Sequence, residues 1–267
     1  ILTEIKKARG LYLIDVLIFA SLYRPTNIMK IPSWQEEYLE PILAMAFVTI
    51  GFSVYHFVSI STKVQEKYGA KYGAERGRTK FLWMTRHLGA MTIGIIPALL
   101  MMIVLGKMPE DYGFAFKNHQ TSLMWIGGLA LIIIPMNFFN SKKEKNLSQY
   151  PNVREKVWTK KMVMTNAFSW IAYLFGYELM FRGVLLFSTV ALLGQWPAII
   201  LNIAFYALVH VPKNLEETIG AFPLGLLLCL ITLTTGTIWV AFFVHITLAL
   251  SNFFFSLRHH PEMTVNS

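Results

Sequence analysis

The stretch GYELMFRG, from Gly176 to Gly183, places an acid and a base inside an apolar run extending from Met162 to Leu193. A charge at membrane depth costs roughly 2.5–3.5 kcal/mol on insertion scales unless it is paired or faces water. Glu178 and Arg182 stand four residues apart, so on a helix they share one face a turn apart. The carboxylate is on the N-terminal side, the better order for an ion pair. As one straight helix the run would measure roughly 48 Å, against a hydrocarbon core of about 30 Å. It must tilt, bend or break, and Gly176 and Gly183 are the expected places.

The rest of the chain sets the class. Of 267 residues, 55% are hydrophobic and only 15% charged, with a mean hydropathy of +0.48, too apolar for a typical soluble domain. The reading is an all-α, polytopic membrane helix bundle with seven to eight transmembrane helices. The net charge of +9 does not mark a nucleic-acid partner. More than half of the Lys and Arg fall in two short links, 61–80 and 141–161, and no nucleic-acid-binding motif is present. Cys229 is the single cysteine, which excludes an intrachain disulfide and a thiolate metal cluster. The first ten residues lack the small-residue cleavage pattern of a signal peptide, so insertion is expected to rely on the spans.

In order, an apolar segment at 11–23, interrupted by Asp15, is either a short first span or an interfacial helix. Spans are expected at 41–60, 82–105, 122–139, 162–193, 196–211, 219–233 and 238–257. The two basic links are separated by two spans, so both belong on the cytoplasmic side, and the sequence reads as a multi-pass protein of a bacterial inner membrane. It divides into an N-terminal piece (1–40), accessory helices with basic loops (41–161), a polar-bearing core (162–257) and a tail (258–267). There is no internal repeat, which weakens a transporter reading.

Within the core, Asn202, Tyr206 and His210 recur every four residues on one helix face. Glu178 precedes Gly194 by as many residues as His210 follows it, so an antiparallel hairpin sets the two at similar depth. His245 lies in the last span. Glu178, His210 and His245 are the residue types of a two-histidine, one-carboxylate site for zinc or another divalent ion, or of a base with two polarising partners that activates water. Plainer readings are a buried ion pair for Glu178 and Arg182, and an interhelical hydrogen-bond seam for His210. Glu216 and Glu217 read as a solvated link.

The order Glu178-x-x-x-Arg182-Gly183, then Tyr206 four before His210, then Thr235 to His245 with Trp239, resembles the CAAX protease and bacteriocin-processing family of Ras-converting-type intramembrane endopeptidases. The resemblance implies glutamate-dependent hydrolysis in a helical chamber open to the cytoplasm, with Glu178, Arg182, His210 and His245 as catalytic residues. The partners it implies are membrane lipid and a peptide or membrane-protein substrate.

Two positions depart from the pattern. The family's first motif carries two adjacent glutamates, the first being the base, and here that place is Tyr177. The residue four after the last His is usually Asn or Asp, and here it is Ala249. Asn252 stands a turn further along. A catalytic reading then uses Glu178 itself as base, with His210 and His245 orienting water or a metal, in an enzyme slowed by the missing oxyanion donor. The alternative is a degenerate homologue acting as a membrane scaffold or accessory subunit.

Overall fold

A computed structural model describes residues 33–212 and 215–266. The candidate first span at 11–23 lies outside them. Residues Glu37–Ser267 form one compact unit, and of the separate unit Ile1–Glu36 only residues 33–36 are described. The apolar runs are helical. They are α1 (Leu39–Ser59), α2 (Thr62–Tyr72), α3 (Ala74–Leu105), α4 (His119–Asn140), α5 (Lys160–Leu193), α6 (Gln195–Leu208), α7 (Leu215–Thr235) and α8 (Trp239–His259). Six of these are long and apolar enough to cross a membrane, namely α1, α3, α4, α5, α7 and α8, while α6 is shorter. The protein is an all-α, multi-pass membrane bundle.

α5 is the central helix. Of its most apolar stretch 72% is buried, against 17% for α1 and for α4. It does not break. It carries a π-helical segment, Leu179–Leu185, between Glu178 and the following α-helical turns. α3 has a matching segment, Ala90–Ile95. Such segments are single-turn insertions, frequent at functional sites. Of the two glycines expected to bend α5, Gly183 lies inside the π segment, whereas Gly176 serves close packing. A Cβ on Gly176 would sit 2.4 Å from the Ala90 carbonyl oxygen, and one on Gly94 would sit 2.0 Å from the Gly176 carbonyl oxygen. The two long helices therefore cross backbone against backbone.

Three further features differ from the expected layout. α3 begins at Ala74 rather than near Leu82, because the basic stretch continues as helix and packs on α2. α6 ends at Leu208, so His210 lies in the turn beyond it. The tail is not free of structure: β2 (Thr264–Asn266) pairs in parallel with β1 (Val157–Thr159), over a cluster holding the fully buried Trp158 and Met263. On the far side of the bundle, Glu40 receives the Tyr112 and Ser188 hydroxyls at 3.2 and 3.3 Å and pairs with Lys107 at 3.0 Å, fixing α1 to α5.

Candidate active site

α5 delivers Tyr177, Glu178 and Arg182, α6 delivers Tyr206, the turn after it delivers His210, and α8 delivers His245. Glu178 and Arg182 are both fully buried. Their i, i+4 pairing is present, with Arg182 Nη1 3.4 Å from Glu178 Oε2. The guanidinium also lies 4.1 Å from the centre of the Tyr206 ring, a cation–π contact in a dry setting. The other carboxylate oxygen, Oε1, is 2.6 Å from His245 Nδ1. A carboxylate only accepts, so Nδ1 carries the hydrogen and donates it. The ring's other nitrogen, Nε2, is left as the lone-pair face of an imidazole held by a carboxylate behind it.

His210 is set differently. Its Nδ1 is 2.7 Å from the Tyr206 carbonyl oxygen, which again fixes the hydrogen on Nδ1, and 3.3 Å from the Tyr177 hydroxyl. Since Nδ1 is the donor, the Tyr177 oxygen accepts, and the phenolic O–H remains available to donate. Tyr177 thus occupies the space between the two histidines, its ring 6.0 Å from that of His210 and 5.9 Å from that of His245. Asn202, the first member of the polar stripe, donates to the Phe181 carbonyl inside the π segment, and Cys229 donates to Asn202 Oδ1 at 3.3 Å. α5, α6 and α7 are tied together beside the Glu–Arg pair by these two contacts.

A cavity of about 460 Å³ opens onto this cluster. It runs inward from exposed Lys145 and Glu216 to the buried Tyr177 and Tyr206, and His210, His245, Ala249 and Asn252 are on its wall. Glu178 and Arg182 are not on that wall; they lie behind it. The expected arrangement, Glu178 facing water with the histidines as helpers, is therefore inverted. A fully buried carboxylate meets the cavity only through His245, whose side chain is 12% exposed.

The zinc or other divalent ion suggested by residue type does not fit. Among the described residues no group of three or more His, Cys, Asp and Glu is arranged to hold a metal. Glu178 and His245 spend their facing atoms on one another, and His210 turns Nδ1 to a carbonyl.

The cavity mouth lies on the side of the basic link 141–161. Glu216 pairs with Lys145 at 2.5 Å, and Glu217 accepts the Tyr150 hydroxyl at 2.8 Å. Both glutamates line the mouth, and Glu216 stays solvated there, as expected. Opposite charge on two distant links was the one sequence signal for it.

With this geometry in place, the comparison with known families is specific. Residues 159–254 match the model described as type II CAAX prenyl endopeptidase Rce1-like. This segment is Rce1-like. It runs from the start of α5 into α8 and contains every residue of the cluster, so the resemblance carried by the Glu178, His210 and His245 motifs holds over that part of the chain. No curated protein and no solved structure matches the chain.

Proposed function

We propose that this protein is an intramembrane endopeptidase of the CAAX-protease type, hydrolysing a peptide bond near the cytoplasmic membrane face with His245 as general base. The observation that supports this reading is the 2.6 Å contact between His245 Nδ1 and the buried Glu178 carboxylate. In this scheme His245 Nε2 takes a proton from water as the water oxygen attacks the scissile carbonyl. Glu178 stabilises the imidazolium so formed, and Arg182 holds Glu178 in place. The Tyr177 hydroxyl donates to the oxyanion. When the tetrahedral intermediate collapses, the C–N bond breaks and His245 returns the proton to the leaving amine. Ala249 supplies no second donor, so turnover is slow. The basic links 61–80 and 141–161 support a cytoplasmic mouth in a bacterial inner membrane.

The test is cleavage of a fluorescent farnesylated peptide by the protein in nanodiscs, followed by mass spectrometry of the products. Expected are slow cleavage by the wild type and loss of cleavage in His245→Ala with the fold retained. Uncleaved peptide in the wild type overturns the reading.

A second reading has its own observation. Tyr177 fills the place where the family carries its base, and its ring packs 4.6 Å from Phe181 and 5.6 Å from Tyr206. On that reading the chamber holds a peptide or partner segment without hydrolysis, and Tyr177→Glu creates an activity that the wild type lacks.

A further inference from the structure

Asn252 stands on the cavity wall beside Ala249, on the same helix as His245. A chain of side chains fixes its orientation. Asn146, in the link that forms the mouth, donates from Nδ2 to the Ser256 hydroxyl at 2.7 Å. Ser256 is fully buried, and its own O–H donates to Asn252 Oδ1 at 3.3 Å. With the Ser256 oxygen already receiving Asn146, its single hydrogen must go onward, and the Asn252 oxygen takes it. The Asn252 amide therefore shows its nitrogen, with two N–H donors, to the cavity. Nδ2 has no partner among the described residues, while neighbouring asparagines spend theirs on protein: Asn137 on the Leu248 carbonyl and Ser251, Asn140 on Asn146.

We propose that Asn252 is a substrate-binding residue whose Nδ2 donates to a main-chain carbonyl of the peptide in the cavity. The inference rests on the peptidase reading of this cavity. It also fixes a register. Seven helical residues separate His245 from Asn252, which places them on one face about 10 Å apart along α8. An extended peptide advances about 3.3 Å per residue, so the carbonyl held by Asn252 lies about three residues from the scissile bond. The contact of Asn252 through Ser256 to Asn146 puts it on the mouth side of His245, so those three residues lie towards the mouth. Asn252 does not replace the donor missing at Ala249, because it is too far from the reacting carbon; it sets which bond is presented.

The test is a binding and cleavage series with fluorescent farnesylated peptides in nanodiscs. Each peptide has one carbonyl reduced to a methylene, and the proteins are wild type, Asn252→Ala, Asn252→Asp and Ser256→Ala. Asn252→Ala is expected to weaken binding of the parent peptide about fivefold or more. Asn252→Asp, with the same shape but an acceptor in place of the donor, weakens it at least as much. Ser256→Ala, which frees the amide to turn, gives a smaller loss. With the analogue reduced about three residues from the scissile bond, wild type and Asn252→Ala bind equally. A penalty for Asn252→Ala that is the same on every analogue, or no penalty at all, overturns the proposal while leaving the peptidase reading standing. A wild type that neither binds nor cleaves the parent peptide overturns both.

Discussion

Glu178 reaches the cavity only through His245: one carboxylate oxygen meets Nδ1 at 2.6 Å, and the residue itself is fully buried. The polar centre is layered. Arg182 lies deepest with Glu178, His245 comes next, and the cavity begins at the far side of the imidazole. The role of each group is set by its layer, so substitutions separate stability from chemistry in a definite way.

Glu178→Gln removes the charge opposite a fully buried guanidinium. Breaking a buried pair from one side costs about 3–5 kcal/mol, because the partner is left uncompensated. Arg182→Met alone has a comparable cost. The double variant recovers a large part of the loss, since neither charge remains buried without the other. Thermal unfolding in detergent of the four proteins checks this. Strict additivity of the two single losses would show that the pair is not coupled.

Tyr177→Phe leaves the ring packing and removes the hydroxyl that touches His210 and faces the cavity. On the endopeptidase scheme it lowers turnover by about 100–1000-fold, the range for one oxyanion donor, with little change in KM. Steady-state kinetics on the farnesylated peptide give the split. A change in KM alone would assign Tyr177 to binding instead.

Gly176→Ala and Gly94→Ala each push a methyl group into the facing backbone, with approach distances of 2.4 and 2.0 Å before relaxation. Overpacking of this kind costs about 1–3 kcal/mol or more. Here the facing neighbours are main-chain atoms, which yield less readily than side chains. Both variants are expected to lose folded yield in size-exclusion profiles, whereas Gly127→Ala, with open space around it, is not.

Tyr150, in the link outside the membrane spans, has its phenol raised well above the ordinary value near 10, first by burial and then by the Glu217 carboxylate beside it. The folded protein keeps this proton at a pH where the unfolded chain has lost it. The contribution is complete below pH 10 and declines as pH rises beyond it. Tyr150→Phe should flatten part of the fall in thermal midpoint between about pH 9 and 11. Tyr112, raised likewise by burial and by Glu40, keeps the remainder. An unchanged alkaline limb in Tyr150→Phe would show that the mouth contact carries no stability.

Six of the expected spans were legible because membrane helices advertise themselves by length and apolarity, and the motif residues were legible as polar exceptions within them. The inversion of Glu178 and His245 was not. Residue type identifies a carboxylate and an imidazole, but which one faces the cavity depends on the rotation of α5 against α8, and that rotation includes the π segment. The β1–β2 pairing escaped for a related reason, since two three-residue strands separated by more than a hundred positions leave no periodic trace. The sequence reads His210 as part of the helix, where the structure has it in the following turn, because a helix that stops at Leu208 and one that continues look alike in an apolar run.

The π segment at Leu179–Leu185 means that α5 contains one residue more than an α-helix needs to span the same turns. The chain therefore tolerates a change in length there in one direction only. Deleting one residue between Leu179 and Phe181 would let the segment relax to ordinary α-helix, with the turns on either side keeping their places. Adding one residue there would instead leave the upstream turns, with Tyr177 and Glu178, locked by Gly176 while everything from Arg182 onward rotated by about 100°. Arg182 would leave Glu178, and the hairpin carrying Tyr206 and His210 would be turned away from His245. In an alignment of such sequences, insertions falling within this segment mark members whose polar centre has come apart, even where every motif letter is still present.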